Sequence, residues 1–179
     1  MKNLISLIFF CFTIAIVGQN KYLTKTGTIT FEASVPSFEE VSSINKNVTA
    51  IIDTDTGNIA ALALVKGFRF KNALMEEHFN ENYAESSKYP KATFKGKIKD
   101  FDVNNINSSY IISGELTFHG VSRKFDSIEV NLTQQDSVIN LSGKMKANPA
   151  DYNIKIPSIV RNKIAENVEI SFSFRLEKK

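Results

Sequence analysis

Cysteine is nearly absent from this chain of 179 residues, and the one present, Cys11, lies inside an apolar run at the start. Past that run there is no thiol, so neither a disulfide framework nor thiolate chemistry is available, even in an oxidising compartment. Histidine is almost as scarce. His78 and His119 are the only two, and neither has a cysteine or a tight carboxylate cluster beside it, so a three-ligand zinc site would need distant acids. The sequence contains no G-x-S-x-G elbow and no glycine-rich phosphate loop, the signatures of a hydrolase nucleophile and of nucleotide binding. The net charge is only +3, and the lysines are scattered opposite carboxylates. Nucleic acid is therefore not an expected partner.

A membrane-spanning run is also missing. The apolar stretch from Leu4 to Val17 falls short of the roughly 20 residues that cross a bilayer. With Lys2 before it and Gly18-Gln19 after it, the stretch reads as a secretory signal peptide. The expected organisation is a signal over residues 1–19 and one domain over residues 20–179. The destination would be the periplasm or the cell exterior, with no stable membrane insertion after cleavage. Loss of Lys2 would lower the net charge by one, from +3 to +2. No small-residue lipobox precedes Cys11, which argues against lipid attachment there. Stability then has to come from a packed core.

What the chain does have is alternation. Ile29, Phe31 and Ala33 alternate with Thr28, Thr30 and Glu32, and Val48 to Ile52 and Asn58 to Val65 flank the turn Asp53-Thr54-Asp55-Thr56-Gly57 as a hairpin. Ala92, Phe94, Gly96 and Ile98 share one face, opposite Thr93, Lys95, Lys97 and Lys99. Ile112, Gly114, Leu116 and Phe118 share another, with His119 on the polar side and Gly120 at the turn. In the following run Phe125 is out of parity with Ile128, Val130 and Leu132, which calls for a bulge near Asp126 or Ser127. Ile139, Leu141, Gly143 and Met145 alternate next, and Val168, Ile170, Phe172, Phe174 and Leu176 close the chain. Residues 148–163 read as loop around Pro149 and Pro157, with room for a short strand over 152–156.

One segment has a different period. Leu74, Met75, His78, Phe79 and Tyr83 recur at spacings of three and four, which predicts a helix over 72–87 with that face buried. Asn72 suits its cap, and Glu76 and Glu77 suit its positive end. Pro90 then opens an extended run. Roughly eight strands with one helix inserted indicate an all-β fold, either an antiparallel barrel or a sandwich. The barrel is preferred. Gly96, Gly114 and Gly143 stand on apolar faces where a filled core wants large side chains, so each marks either a bend or open space. An eight-stranded barrel is about wide enough to be filled or to hold one small ligand. With Phe68, Phe70, Phe79, Phe94, Phe118, Phe172 and Phe174 as lining, that ligand would be apolar.

The run Met75-Glu76-Glu77-His78-Phe79, then Tyr83-Ala84-Glu85-Ser86, then Lys88-Tyr89-Pro90-Lys91-Ala92-Thr93-Phe94-Lys95-Gly96 resembles the YceI-like family of secreted lipocalin-like proteins. Gly114-Glu115-Leu116-Thr117-Phe118-His119-Gly120-Val121-Ser122-Arg123 is similar to that family's strand-turn-strand signature, and Asp151-Tyr152-Asn153-Ile154 with the final strand to its closing segment. The likeness covers most of the chain from Val65 onward. Residues 20–64 depart from it, lacking the tryptophan common near the family's start. The resemblance implies an extended eight-stranded antiparallel barrel around a tunnel for a polyisoprenoid, an isoprenoid quinone or a similar long-chain apolar lipid.

The expected lining is Phe70, Met75, Phe79, Phe94, Gly96, Ile98, Gly114, Leu116, Phe118, Leu141, Phe172 and Phe174. No catalytic residue, metal or cofactor is expected beyond a bound isoprenoid-type lipid. His78 is expected to be a core histidine and His119 to be solvated. Lys95-Lys97-Lys99 and Arg161-Lys163 read as solvated faces, with a lipid diphosphate at the mouth as the alternative. Three function classes stay open: a lipid carrier, which is preferred, a filled barrel acting as a structural or interaction module, and an enzyme acting on an isoprenoid. Nothing in the sequence sets an oligomeric state.

Overall fold

The alternating runs pair with their sequence neighbours and bend until the last strand meets the first. The structure, a computed structural model, describes residues 20–36, 38–104 and 106–179; the expected signal segment, 1–19, lies outside them. The strands are β1 (Lys21–Ser34), β2 (Ser42–Asp53), β3 (Asn58–Leu64), β4 (Arg69–Phe70), β5 (Lys91–Ile98), β6 (Asn107–Phe118), β7 (Val121–Gln135), β8 (Val138–Ala147) and β9 (Ile164–Lys178). All pairings are antiparallel. The order β1-β9-β8-β7-β6-β5-β3-β2 closes through β1–β2, and the two-residue β4 rests on β2. This is the expected eight-stranded barrel, with α1 (Ala73–His78) inserted between β4 and β5.

The barrel has two unlike ends. Short turns join β2 to β3 and β7 to β8, and the end they share is filled: Ile52, Leu132, Ile139 and Leu176 are fully buried. The β5–β6 connection lies at this end too, while the connections over residues 35–41, 65–90 and 148–163 lie at the other. The bulge in β7 falls where the parity break required it. Ile112 faces Ile128 and Gly114 faces Phe125, so Ser113 alone spans Asp126 and Ser127, and Phe125 packs against the core.

The helix is shorter than its sequence period suggests. Asn72 caps it, its side-chain oxygen accepting from the N–H groups of Leu74 (2.9 Å) and Met75 (3.3 Å). After His78 the chain widens into a π-helical turn, Phe79–Tyr83, with the Ala84 N–H donating to the Phe79 carbonyl, so helix stops well short of Ser87. The five-residue span shifts the register, and the apolar stripe is not buried as one face: Met75, Phe79 and Tyr83 are half-buried, whereas Leu74 and His78 are exposed. Residues 152–156 form no strand. Pro149–Tyr152 is a 3-10 turn capped by Asn148, and Asn153 is left-handed with φ 59°.

Candidate functional site: an apolar cavity at the open end

The inward side chains of β3 are small. Ala61 and Ala63 face Phe94 and Ala92 across the β3–β5 pair, and together with Ala33 they leave a cavity of about 470 Å³ between the packed end and the connections. Ile29 and Phe31 of β1, Leu116 and Phe118 of β6 and Phe172 and Phe174 of β9 complete its wall. Phe68, Phe70, Met75 and Phe79 cover one side, and Pro149, Ile154, Ile156 and Val160 the other. Polar groups, among them Glu39, His78 and Lys163, are few on this lining.

The cover is held by specific contacts. The Glu76 carboxylate accepts from the Arg69 guanidinium at 2.7 Å and from the Phe70 N–H at 3.1 Å, which ties β4 to α1. Phe70, Phe31 and Phe79 then meet with ring centroids 5.2–5.5 Å apart in tilted and edge-on arrangements. Beyond the helix, His119 joins three segments. Its Nδ1 lies 2.8 Å from the Tyr152 carbonyl oxygen and its Nε2 2.7 Å from the Glu85 carboxylate, with the Tyr89 ring edge-on at 4.5 Å. Each ring nitrogen thus faces an oxygen of a different segment, and the imidazole bridges the two.

His119 is only 8% exposed, which corrects the expectation of a solvated residue. It sits in the turn just past β6, and Glu85, Tyr89 and the Tyr152 carbonyl close around its ring. Neighbouring Tyr152 lines the cavity, yet its hydroxyl is buried without a hydrogen-bond partner among the described residues, and burial pushes its pKa up to about 12.

The expected lining divides. Phe70, Met75, Phe79, Phe94, Leu116, Phe118, Phe172 and Phe174 come together around the cavity. Ile98 and Leu141 are not among its lining residues and sit in the packed core. Gly96 and Gly114 open no space either. They face each other across β5–β6, and a Cβ on Gly96 would stand 2.8 Å from the Phe94 ring. Gly143 is filled likewise by Phe172. Alanine, not glycine, makes the room, and the signal that could have found it is the alternation of the IAALALV run, which sets Ala61 and Ala63 on one face with Ile59. The 148–163 loop carried no such periodic signal.

Among the described residues there is no group of three histidine, cysteine or acidic side chains placed to hold a metal, and no helix is long and apolar enough to cross a membrane. The family model for the YceI-like domain matches residues 14–176. The chain belongs to the YceI-like family. That match includes residues 20–64, where the sequence resemblance had lapsed. No curated protein matches the sequence.

Among solved structures, a polyisoprenoid binding domain from Saccharophagus degradans implicated in plant cell wall breakdown superposes with a TM-score of 0.75 at 16% identity, over 90% of this chain and 99% of that one. Burkholderia cenocepacia BcnA gives 0.71 at 16% identity over 84% and 96%. The Campylobacter jejuni YceI protein gives 0.62 at 18% identity over 81% and 90%. At such identities the YceI-like likeness speaks to the fold. The small-residue wall and the His119 junction are features of this chain's own residues.

Proposed function

We propose that the protein binds one long apolar amphiphile, a polyisoprenoid, isoprenoid quinone or similar lipid, inside the barrel and carries or sequesters it without chemistry, in the periplasm or outside the cell. The observation that carries this reading is the cavity itself: about 470 Å³, within the roughly 300–1,000 Å³ of small-molecule sites, and walled mainly by phenylalanine, alanine and branched aliphatic side chains. Such a wall rewards burial of a hydrocarbon chain at about 25 cal/mol per Å² and offers little to a polar substrate. The polyisoprenoid-binding description of the Saccharophagus protein supports the choice of ligand class.

Native mass spectrometry of the protein as recovered from cells tests it. The expected result is a complex heavier than the polypeptide, reduced to the bare mass by organic extraction and restored by an isoprenoid quinone. A bare mass throughout, with no uptake of the quinone, would favour the filled-barrel reading instead.

A further inference from the structure

The exposed apolar side chains are distributed unevenly between the two ends of the barrel. Among the described residues five large hydrophobic ones are exposed, namely Phe38, Leu64, Leu74, Val103 and Ile159. Val103 belongs to the packed end; the other four lie at the end where the cavity opens. Three of them immediately precede lining residues, Phe38 before Glu39, Leu74 before Met75 and Ile159 before Val160. Ile159 is 82% exposed and Leu74 58%. Single exposed apolar residues are ordinary, but a one-sided set around the mouth of an apolar cavity marks a contact surface.

Contacts between segments bring two of the set together. The Asn72 side-chain amide donates to the Glu39 carboxylate at 3.2 Å, and Asn72 caps the helix that carries Leu74, so Phe38 and Leu74 flank one joint. Two ion pairs stand beside that joint, Lys71 with Glu40 at 2.5 Å and Arg69 with Glu76 at 2.7 Å. With these four charges cancelling, the joint suits a partner that is apolar at the point of contact. Arg161 and Lys163 follow Ile159 closely, and their aliphatic stems can lie along apolar matter while the charged heads stay among phosphates.

We infer that the open rim docks on a lipid bilayer, with Phe38, Leu74 and Ile159 entering the interfacial layer so that the cavity mouth opens onto lipid. The inference rests on the lipid-binding reading and adds the surface from which the ligand is taken or to which it is returned. An apolar chain would then pass between bilayer and barrel without crossing water, the costly step for such a molecule.

The absence of tryptophan makes the test direct, since one introduced indole reports alone. Ile159→Trp should shift its emission to the blue on phosphatidylcholine vesicles and be quenched by brominated acyl chains, whereas Val103→Trp at the opposite end should do neither. With Phe38, Leu74 and Ile159 all changed to Ser, transfer of a pyrene-labelled isoprenoid alcohol from those vesicles should slow by at least about tenfold. Final occupancy from detergent micelles should be unchanged.

Unshifted emission from the Ile159→Trp variant, in a protein that still takes up the probe, overturns the docking surface and leaves lipid binding standing. Failure to take up the probe from vesicles and micelles alike would also overturn the lipid-binding reading. A shift in both tryptophan variants means adsorption without orientation, and a shift that follows protein concentration without vesicles means that a second copy covers the rim. Either overturns the proposal.

Discussion

The Phe94 ring lies over Gly114, its Cζ 2.5 Å from where a Cβ on Gly114 would stand, and the Lys95 carbonyl oxygen is equally close to that point. One aromatic ring therefore occupies the volume that the Gly96–Gly114 pair forgoes, a cross-strand arrangement known to cover sheet glycines. The cavity begins on the far side of that ring.

Gly114→Ala should accordingly destabilise the protein by about 2 kcal/mol or more, in the range of overpacking, and Gly114→Leu should not fold. Phe94→Ala should restore only part of the loss in the double variant, because the Lys95 oxygen and the Gly96 Cα are backbone atoms with nowhere to go. Denaturant midpoints measure both. Full rescue by Phe94→Ala would mean that the ring alone sets the requirement for glycine.

Phe79→Ala removes a ring that packs against Phe31, Phe68 and Phe70 on one side and faces the cavity on the other. Because part of its surface already borders space, the expected cost is about 1–3 kcal/mol, below the 3–5 kcal/mol of a fully packed phenylalanine. Retention of co-purified lipid should fall. Urea denaturation and lipid content on the same sample check the pair of outcomes.

His119→Ala should cost about 1–2 kcal/mol, since it strands the Tyr152 carbonyl, whereas the exposed Glu85 carboxylate keeps water and Lys88 as partners. Hydrogen exchange should then accelerate in residues 84–89 and 149–154 together while the packed end stays protected. His119 has φ 49°, a backbone cost that histidine and alanine share and glycine lacks, so His119→Gly should be milder than the alanine variant by about 1 kcal/mol. Equal losses would show that the left-handed turn contributes nothing.

Tyr152 is 2% exposed and its hydroxyl has no partner among the described residues, so Tyr152→Phe should be neutral or stabilising by about 1 kcal/mol at neutral pH. The pH dependence has a definite sign. Below the ordinary tyrosine value of 10.0 the hydroxyl is protonated in folded and unfolded chains alike. Between there and about 12 the unfolded chain releases the proton first, so unfolding becomes easier as pH rises. Wild-type stability should fall relative to Tyr152→Phe across that window, read by thermal melts at matched pH.

The proposed export predicts a mass. Protein from a periplasmic extract should begin near Gln19 or Asn20, as intact-mass measurement would report, and a product that keeps Met1 in the membrane fraction would replace a released carrier with an anchored one.

The strand alternation by itself determined most of the architecture. A period of two fixes which side chains share a face, and a barrel is the closed way to bury so many one-sided strands. Even the β7 bulge was legible, because Phe125 could turn inward only if the register slipped. The likeness of the 75–96 run to its family reached further, to the kind of interior.

Tertiary structure decided whatever depended on the neighbour across a gap. Parity could put Gly96 and Gly114 on the inner face but could not say that Phe94 had filled the volume, which left the room to Ala61, Ala63 and Ala92. It could put His119 outside the barrel but not reveal that two segments, one 34 and one 33 residues away in the chain, close over it. Local sequence encodes direction; occupancy and burial depend on which distant segments arrive there.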